Sequence, residues 1–419
     1  MRKLSIVLAS LAMVALLIAL LSPAPEAQRG QRRADEPALT VEEYTPRSTL
    51  VVDEHPVPRA KYPVIDVHSH HRSPSQSRWA EIVSEMDALN LQILVNLSGG
   101  SGSALQRGIA TITESPEPDR MVFFANLDFE RGVHPGFGEA AAAQLEKDVA
   151  AGAVGLKFFK NFGIDVRDQD GQRVPVDHPE LDPVFEMCAR LDIPVLIHVG
   201  EPSEFYQPVD QFNERWLELT LLPNRRMPAT QYPTFDEMMS ERDRLFAKHT
   251  NTRFIAAHFG WHANDLGRLG TLLDRLPNVY AETAAILYEL GRQPRAARQF
   301  FIDYQDRVLF GKDTYRAEEF PYYWRTFETA DEYFDYYRHY HAFWKLYGMD
   351  LPDEVLRKVY YANALKVVPG IPRRAYPLAA TGLDVAPDLR DQIDSGLNVL
   401  RIRLFDLLQL VLDRLEDSG

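Results

Sequence analysis

The chain has 419 residues, 45% hydrophobic and 25% charged, proportions that suit a folded protein with a large core. A formal net charge of −14 leaves no broad basic surface and argues against a nucleic-acid partner. The single cysteine, Cys188, excludes an intramolecular disulfide, and its apolar helical neighbours make it a buried small residue rather than a nucleophile.

The N-terminus reads as a targeting segment. Arg2 and Lys3 precede an apolar or small run from Leu4 to Leu21, followed by Ser22-Pro23-Ala24-Pro25. Residues 1–27 are therefore expected to be either a cleaved signal peptide or a retained membrane anchor, with the folded part exported to the periplasm or the extracellular space. Residues 28–62, rich in Arg, Glu and Pro, read as a linker and an irregular approach to the domain.

From Val64 onward, apolar runs alternate with amphipathic segments. The predicted strands are Val64–His68, Leu91–Leu97, Met121–Leu127, Ala153–Phe159, Pro194–Val199, Arg253–His258, Val279–Thr283 and Val308–Gly311. Helical spacing falls between them at Trp79–Leu89, after the Gly99–Gly102 loop, at Glu139–Ala150, Pro179–Leu191, Thr234–Lys248, Asp265–Leu276 and Pro294–Tyr304, and finally at Pro352–Val367. Eight alternations over residues 63–370 predict an α/β protein, a (β/α)8 TIM barrel, in preference to an open doubly wound sheet. Insertions after strands 5 (Gly200–Pro233) and 8 (Tyr315–Met349) are expected to act as lids at the active-site face. The second is dense in aromatics, most of which are expected to pack it onto the barrel rim. Residues 371–419 form a C-terminal extension whose Leu397–Leu415 stripe would dock on the barrel or on a second copy, giving a homo-oligomer.

The chemistry-bearing residues gather at strand ends. His68 and His70 stand two apart at the end of the first strand, so both project to one face. His198 ends the fifth predicted strand, His258 the sixth, and Asp313 follows the eighth. A lone histidine at such a place is ordinarily a satisfied core residue, but recurrence on three strands with a carboxylate is poorly explained by coincidence. Four imidazoles and a carboxylate at one barrel mouth suit Zn2+ or another divalent ion. Glu282, at the end of the seventh strand, is expected to support the ligands from behind. Arg292, Arg295, Arg298 and Arg316 are candidates for a substrate-carboxylate clamp, with an outer-helix ion pair the alternative for each.

With this pattern, the sequence resembles the amidohydrolase superfamily. The segments Asn213-Glu214-Arg215-Trp216, Phe300–Gly311 and Ala362-Asn363-Ala364 are similar to its amidohydrolase-2 branch, which includes aminocarboxymuconate-semialdehyde decarboxylase and related metal-dependent hydrolases. The resemblance implies that His68, His70, His198 and Asp313 bind one metal per chain. It also implies that His258 polarises the substrate or orients water, and that Asp313 takes the water's proton. Lys157 stands where binuclear members carry a carboxylated lysine bridging two metals. Unmodified, it would repel a metal and better serve a substrate anion, with a strand-end lysine snorkelling to solvent as the third option and Lys160 as competitor. The expected function is a metal-dependent hydrolase acting on a carbonyl-type C–N or C–O bond of a small-molecule substrate. The alternatives are a non-oxidative decarboxylase of an aromatic or unsaturated acid and, from another class, a non-catalytic binding protein.

Overall fold

A computed structural model describes residues 39–372, apart from 41, 42, 45, 73 and 74. The N-terminal apolar segment, the first part of the linker and the Leu397–Leu415 stripe lie outside the described residues. No helix among the described residues is long and apolar enough to cross a membrane. Residues Met1–Leu50 form one unit, whose described part has no helix or strand; Val51–Gly419 form the other.

The second unit is built on eight parallel strands in sequential order: β1 Val64–Ser69, β2 Leu91–Asn96, β3 Met121–Asn126, β4 Ala153–Phe158, β5 Val195–Ile197, β6 Phe254–Ala256, β7 Val279–Glu282 and β8 Val308–Leu309. The ends of the series meet, because Val67 N–H donates to Phe310 O at 3.0 Å and Asp313 N–H to His68 O at 2.7 Å. Barrel closure covers both faces of every strand, which is why every residue of β1 and β7, and all of β3 but its last, is buried instead of every second one.

Eight helical connections surround the strands: α1 Gln76–Leu89, α2 Gly102–Thr113, α3 Phe137–Ala150, α4 Asp182–Arg190, α5 Phe235–Lys248, α6 Leu266–Arg275, α7 Pro294–Asp303 and α8, which runs through Asp353–Arg357, Lys358–Ala362 and Asn363–Val367. In α1 the apolar stripe Trp79, Ile82, Val83, Met86 and Leu89 is the buried face, and Ser75 caps the helix by accepting from Arg78 N–H. Thr234 and Glu237 form a reciprocal capping box at the start of α5. The connection after β8 carries the helix Phe320–Glu328, whose Phe320, Tyr323, Trp324 and Phe327 pack around Phe310. These aromatics belong to the barrel wall.

Cys188 lies on the inner face of α4, fully buried, and burial pushes its thiol far above the ordinary range. Native protein is therefore expected to resist iodoacetamide and to take one label only in denaturant, read by intact mass. Labelling of the native chain would contradict this packing.

Seven strands stop short of their predicted ends, β2, β3, β4 and β7 by one residue and β5, β6 and β8 by two. β5 stops one residue before His198, β6 two before His258, and β8 four before Asp313. The backbone leaves the extended region there. His258, Phe259, Gly260 and Trp261 have φ of 58°, 55°, 56° and 56°, a left-handed turn, and Asp313 has φ 83°. Left-handed backbone costs on the order of 1–3 kcal/mol at a non-glycine residue and persists only where surrounding bonds impose it.

Candidate metal centre at the barrel mouth

His68 and His70 converge as their spacing requires, with their Nε2 atoms 3.2 Å apart. Asp313 Oδ1 lies 3.4 Å from His70 Nε2 and 3.8 Å from His68 Nε2. These three side chains form one open cluster of ligand-type atoms, drawn from opposite ends of the strand series.

Glu282 lies directly behind them, wholly buried. Oε1 accepts from His68 Nδ1 and from His258 N–H, both at 2.8 Å, and Oε2 accepts from Ala284 N–H at 2.6 Å. A carboxylate can only accept, so His68 carries its proton on Nδ1 and turns a bare Nε2 towards His70 and Asp313. Glu282, His68 and His258 form a second cluster, but with three donors already taken Glu282 is a poor ligand itself.

The same logic runs through the next pair. His258 Nδ1 donates to Ala284 O at 2.8 Å, which leaves its Nε2 as an acceptor 3.2 Å from His198 Nδ1. His198 then donates through Nδ1 and keeps a bare Nε2, which is buried and without a hydrogen-bond partner. An orphaned imidazole nitrogen in a dry site is what a ligand position looks like before its ion is counted. The rings of His198 and His258 pack edge-to-face, and Trp261 stacks on His258 while its Nε1–H donates to Gly200 O.

Burial disfavours charge on all four imidazoles. It drives His68 and His198 well below the usual range, lowers His258, and takes His70 to about 4, with the Lys157 charge adding to the effect on His68 and His70. Neutral imidazoles are the ligating form. Burial alone would raise Asp313, but His68, His258, His70 and Lys157 together outweigh it and hold the carboxyl at about 2. The donor set fits a borderline divalent ion.

Lys157 sits on β4 between Asn126 of β3 and Leu196 of β5 in the strand register. It is 1% exposed and its Nζ has no hydrogen-bond partner, which rules out a snorkelling lysine. Burial lowers it to about 8 despite the opposing pull of Glu282 and Asp313. Lys160 instead pairs with Glu201 at 2.6 Å.

Two supports escaped the sequence reading. Asp66 Oδ1 accepts from both His68 N–H at 3.0 Å and Lys312 N–H at 3.1 Å, tying the two ligand-bearing segments together. Its signal was an acid inside the otherwise apolar stretch Val64-Ile65-Asp66-Val67. Arg242 of α5, buried, donates to Gly260 O at 2.6 Å and so clamps the left-handed turn that carries His258. A side chain at Gly260 would meet that guanidinium at 2.7 Å. The four arginines proposed as a clamp are elsewhere engaged or free of the site. Arg292 pairs with Glu289 and Glu214, Arg298 donates to Asp350 O, Arg316 lies near Glu319, and Arg295 lines none of the mouth cavities.

Three cavities meet at this mouth. One of about 630 Å³ is lined by His70, Ser98, Asn126, His198 and Asp313; one of about 510 Å³ reaches Lys157 and Phe159. A third, about 130 Å³, lies between His198, His258, Asp313 and the connection after β5.

A parallel barrel with imidazoles and a carboxylate at the carboxyl ends of its strands defines a class, the metal-dependent enzymes of the amidohydrolase type. The amidohydrolase family model matches residues 117–370, more than half of the chain, and the chain belongs to that family. The match begins beyond β2, so it is the barrel's closure that joins His68 and His70 to the matched residues. No curated protein matches the sequence. Solved structures similar to it include an uncharacterized TIM-barrel protein from Bordetella bronchiseptica, with 15% identity, TM-score 0.47, and 74% of this chain and 100% of that one covered. A putative amidohydrolase from Staphylococcus aureus has 16% identity, TM-score 0.47 and coverage of 73% and 99%. For 2,6-dihydroxybenzoate decarboxylase from Rhizobium the values are 17%, 0.42, 74% and 99%.

Proposed function

We propose that the enzyme is a hydrolase of a carbonyl-type C–N or C–O bond, with one zinc-class ion held by His68, His70, His198 and Asp313. The observation that carries this is the orphaned His198 Nε2 facing the same mouth as the open His68, His70 and Asp313 cluster. An ion of this class lowers the pKa of bound water to about 7 and polarises a carbonyl. The protein's own groups supply the rest. Asp313, held ionised, accepts the proton released in the attack. His258, its proton pinned on Nδ1 by Ala284 O, orients His198 through Nε2 and stands beside the substrate. Glu282 fixes the ring of His68, and Lys157 offers an unshielded cation to a substrate anion. The filled valences of Glu282 favour one ion over two.

The decarboxylase alternative drew on the aromatic connection after β8. Those aromatics line none of the three mouth cavities, which weakens it. The N-terminal apolar run supports an exported enzyme.

Purified protein is expected to hold about one equivalent of metal per chain. It should cleave members of an amide, ester and lactone panel without releasing carbon dioxide from aromatic or unsaturated acids. Metal-free active protein would overturn the reading, and two equivalents with a carboxylated Lys157 would replace the single centre. Carbon dioxide release without hydrolysis would convert it to the lyase.

A further inference from the structure

The connection after β5 brings an arginine to the mouth that no outer helix could supply. Arg215 is 3% exposed. Its Nε donates to Glu218 Oε2 at 2.7 Å and Nη2 pairs with the same carboxylate. Its guanidinium lies 4.5 Å over the Tyr288 ring and 5.4 Å from the Phe205 ring. Nη1 is buried and has no hydrogen-bond partner. A guanidinium left with a free arm in a dry place is costly unless something occupies it.

That arginine lines the 130 Å³ cavity whose other wall is His198, His258 and Asp313. Lys160, Arg225 and Arg338 line it too, so four cations face two carboxylates, Glu201 and Glu218, beyond Asp313 itself. Glu201 is taken by Lys160 at 2.6 Å, and the other acids are shared. Glu218 serves Arg215 and Arg225 together, and Glu319, which Arg338 approaches at 3.6 Å, also holds Lys312. His341, from the connection after β8, completes the wall with an unpartnered Nδ1 and is kept neutral, burial lowering it to about 4. The cavity thus carries uncompensated positive charge and two nine-tenths-buried side chains with free nitrogens, within one wall of the metal centre.

The geometry points to a carboxylate subsite: the substrate is an acid whose non-reacting carboxylate is held by Arg215, with Arg338 and Arg225 behind it, while its scissile carbonyl sits at the His198–Asp313 wall. The substrate-class part of this rests on the hydrolase reading; the anion site itself does not. A flat carboxylate matches the guanidinium fork, and a cavity of 130 Å³ admits a short acidic arm but no large headgroup.

Glutarate and its neutral diamide, glutaramide, test this by calorimetric titration of the full chain, both metal-loaded and metal-free. Glutarate is expected to bind at least about tenfold more tightly than glutaramide in both forms, the ratio given by one charge-assisted contact. Arg215→Met should abolish the preference in the metal-free form. Because that change strands Glu218, Arg338→Gln, at a more exposed side chain, is measured beside it and should reduce the preference without lowering the melting temperature. Equal binding of the two probes, or a glutarate preference that survives both substitutions, would overturn the subsite. Failure of the hydrolase reading looks different: no cleavage of any panel member while the metal-free preference for glutarate persists.

Discussion

Gly311→Ala is expected to unbuild the centre without replacing any of its candidate ligands. A Cβ there would overlap Glu282 Oε2 and lie 3.0 Å from the His68 Cβ. Neither neighbour can retreat. Glu282 is held by three N–H donors, and the Gly311 backbone is pinned by reciprocal bonds with Thr283, whose Oγ1 donates to Gly311 O at 3.0 Å and accepts from Gly311 N–H at 3.1 Å. Overpacking of this kind costs about 1–3 kcal/mol or more, and a displaced supporting carboxylate lowers metal affinity about 10- to 100-fold. Thermal melting and zinc titration measure the two losses. Gly267→Ala on α6 is the control, since its Cβ would meet only Asp265 Oδ1 at an ordinary 3.6 Å and alanine favours a helix. Wild-type zinc affinity in Gly311→Ala would mean that Glu282 does not hold His68 in register.

Asp313→Asn is expected to remove the proton acceptor while leaving the fold intact. Asparagine, like aspartate, tolerates the left-handed φ of 83°, and the backbone N–H to His68 O is unaffected. An amide cannot take the proton, so kcat/KM on a cleaved panel substrate should fall by about 10²- to 10⁴-fold. The melting temperature in the metal-free form should stay within a few degrees of wild type. Full activity in Asp313→Asn would remove Asp313 from the chemistry. A collapse in melting temperature would show that its role is structural.

Much of the scaffold was legible in the chain because its signals are local. The predicted beginnings of β1 to β4 and of β7 and β8 match those observed, and the stripe on α1 is the one buried. The H-x-H pair met as period-2 geometry demands. The ends of β5, β6 and β8 were overextended because an apolar run does not record the sign of φ. The left-handed turn from His258 to Trp261 depends on Arg242 reaching Gly260 from another helix. The outer-helix arginines were poor clamp candidates because ion-pair partners were at hand in space, whereas Arg215 was passed over inside an insertion whose path the sequence could not supply.

The sequence by itself determined which residue types stand at the carboxyl ends of the strands, and with them a metal-dependent amidohydrolase-type enzyme. Side-chain chemistry and strand period are properties of short stretches. Only the tertiary structure decided which nitrogen of His68, His198 and His258 is bare, that the Glu282 oxygens are filled by three N–H donors, and that Lys157 is dry and unpaired. Those are matters of who accepts from whom across the barrel. His68 and the Glu282 that sets its proton are 214 residues apart, and only closure of the barrel brings them to 2.8 Å.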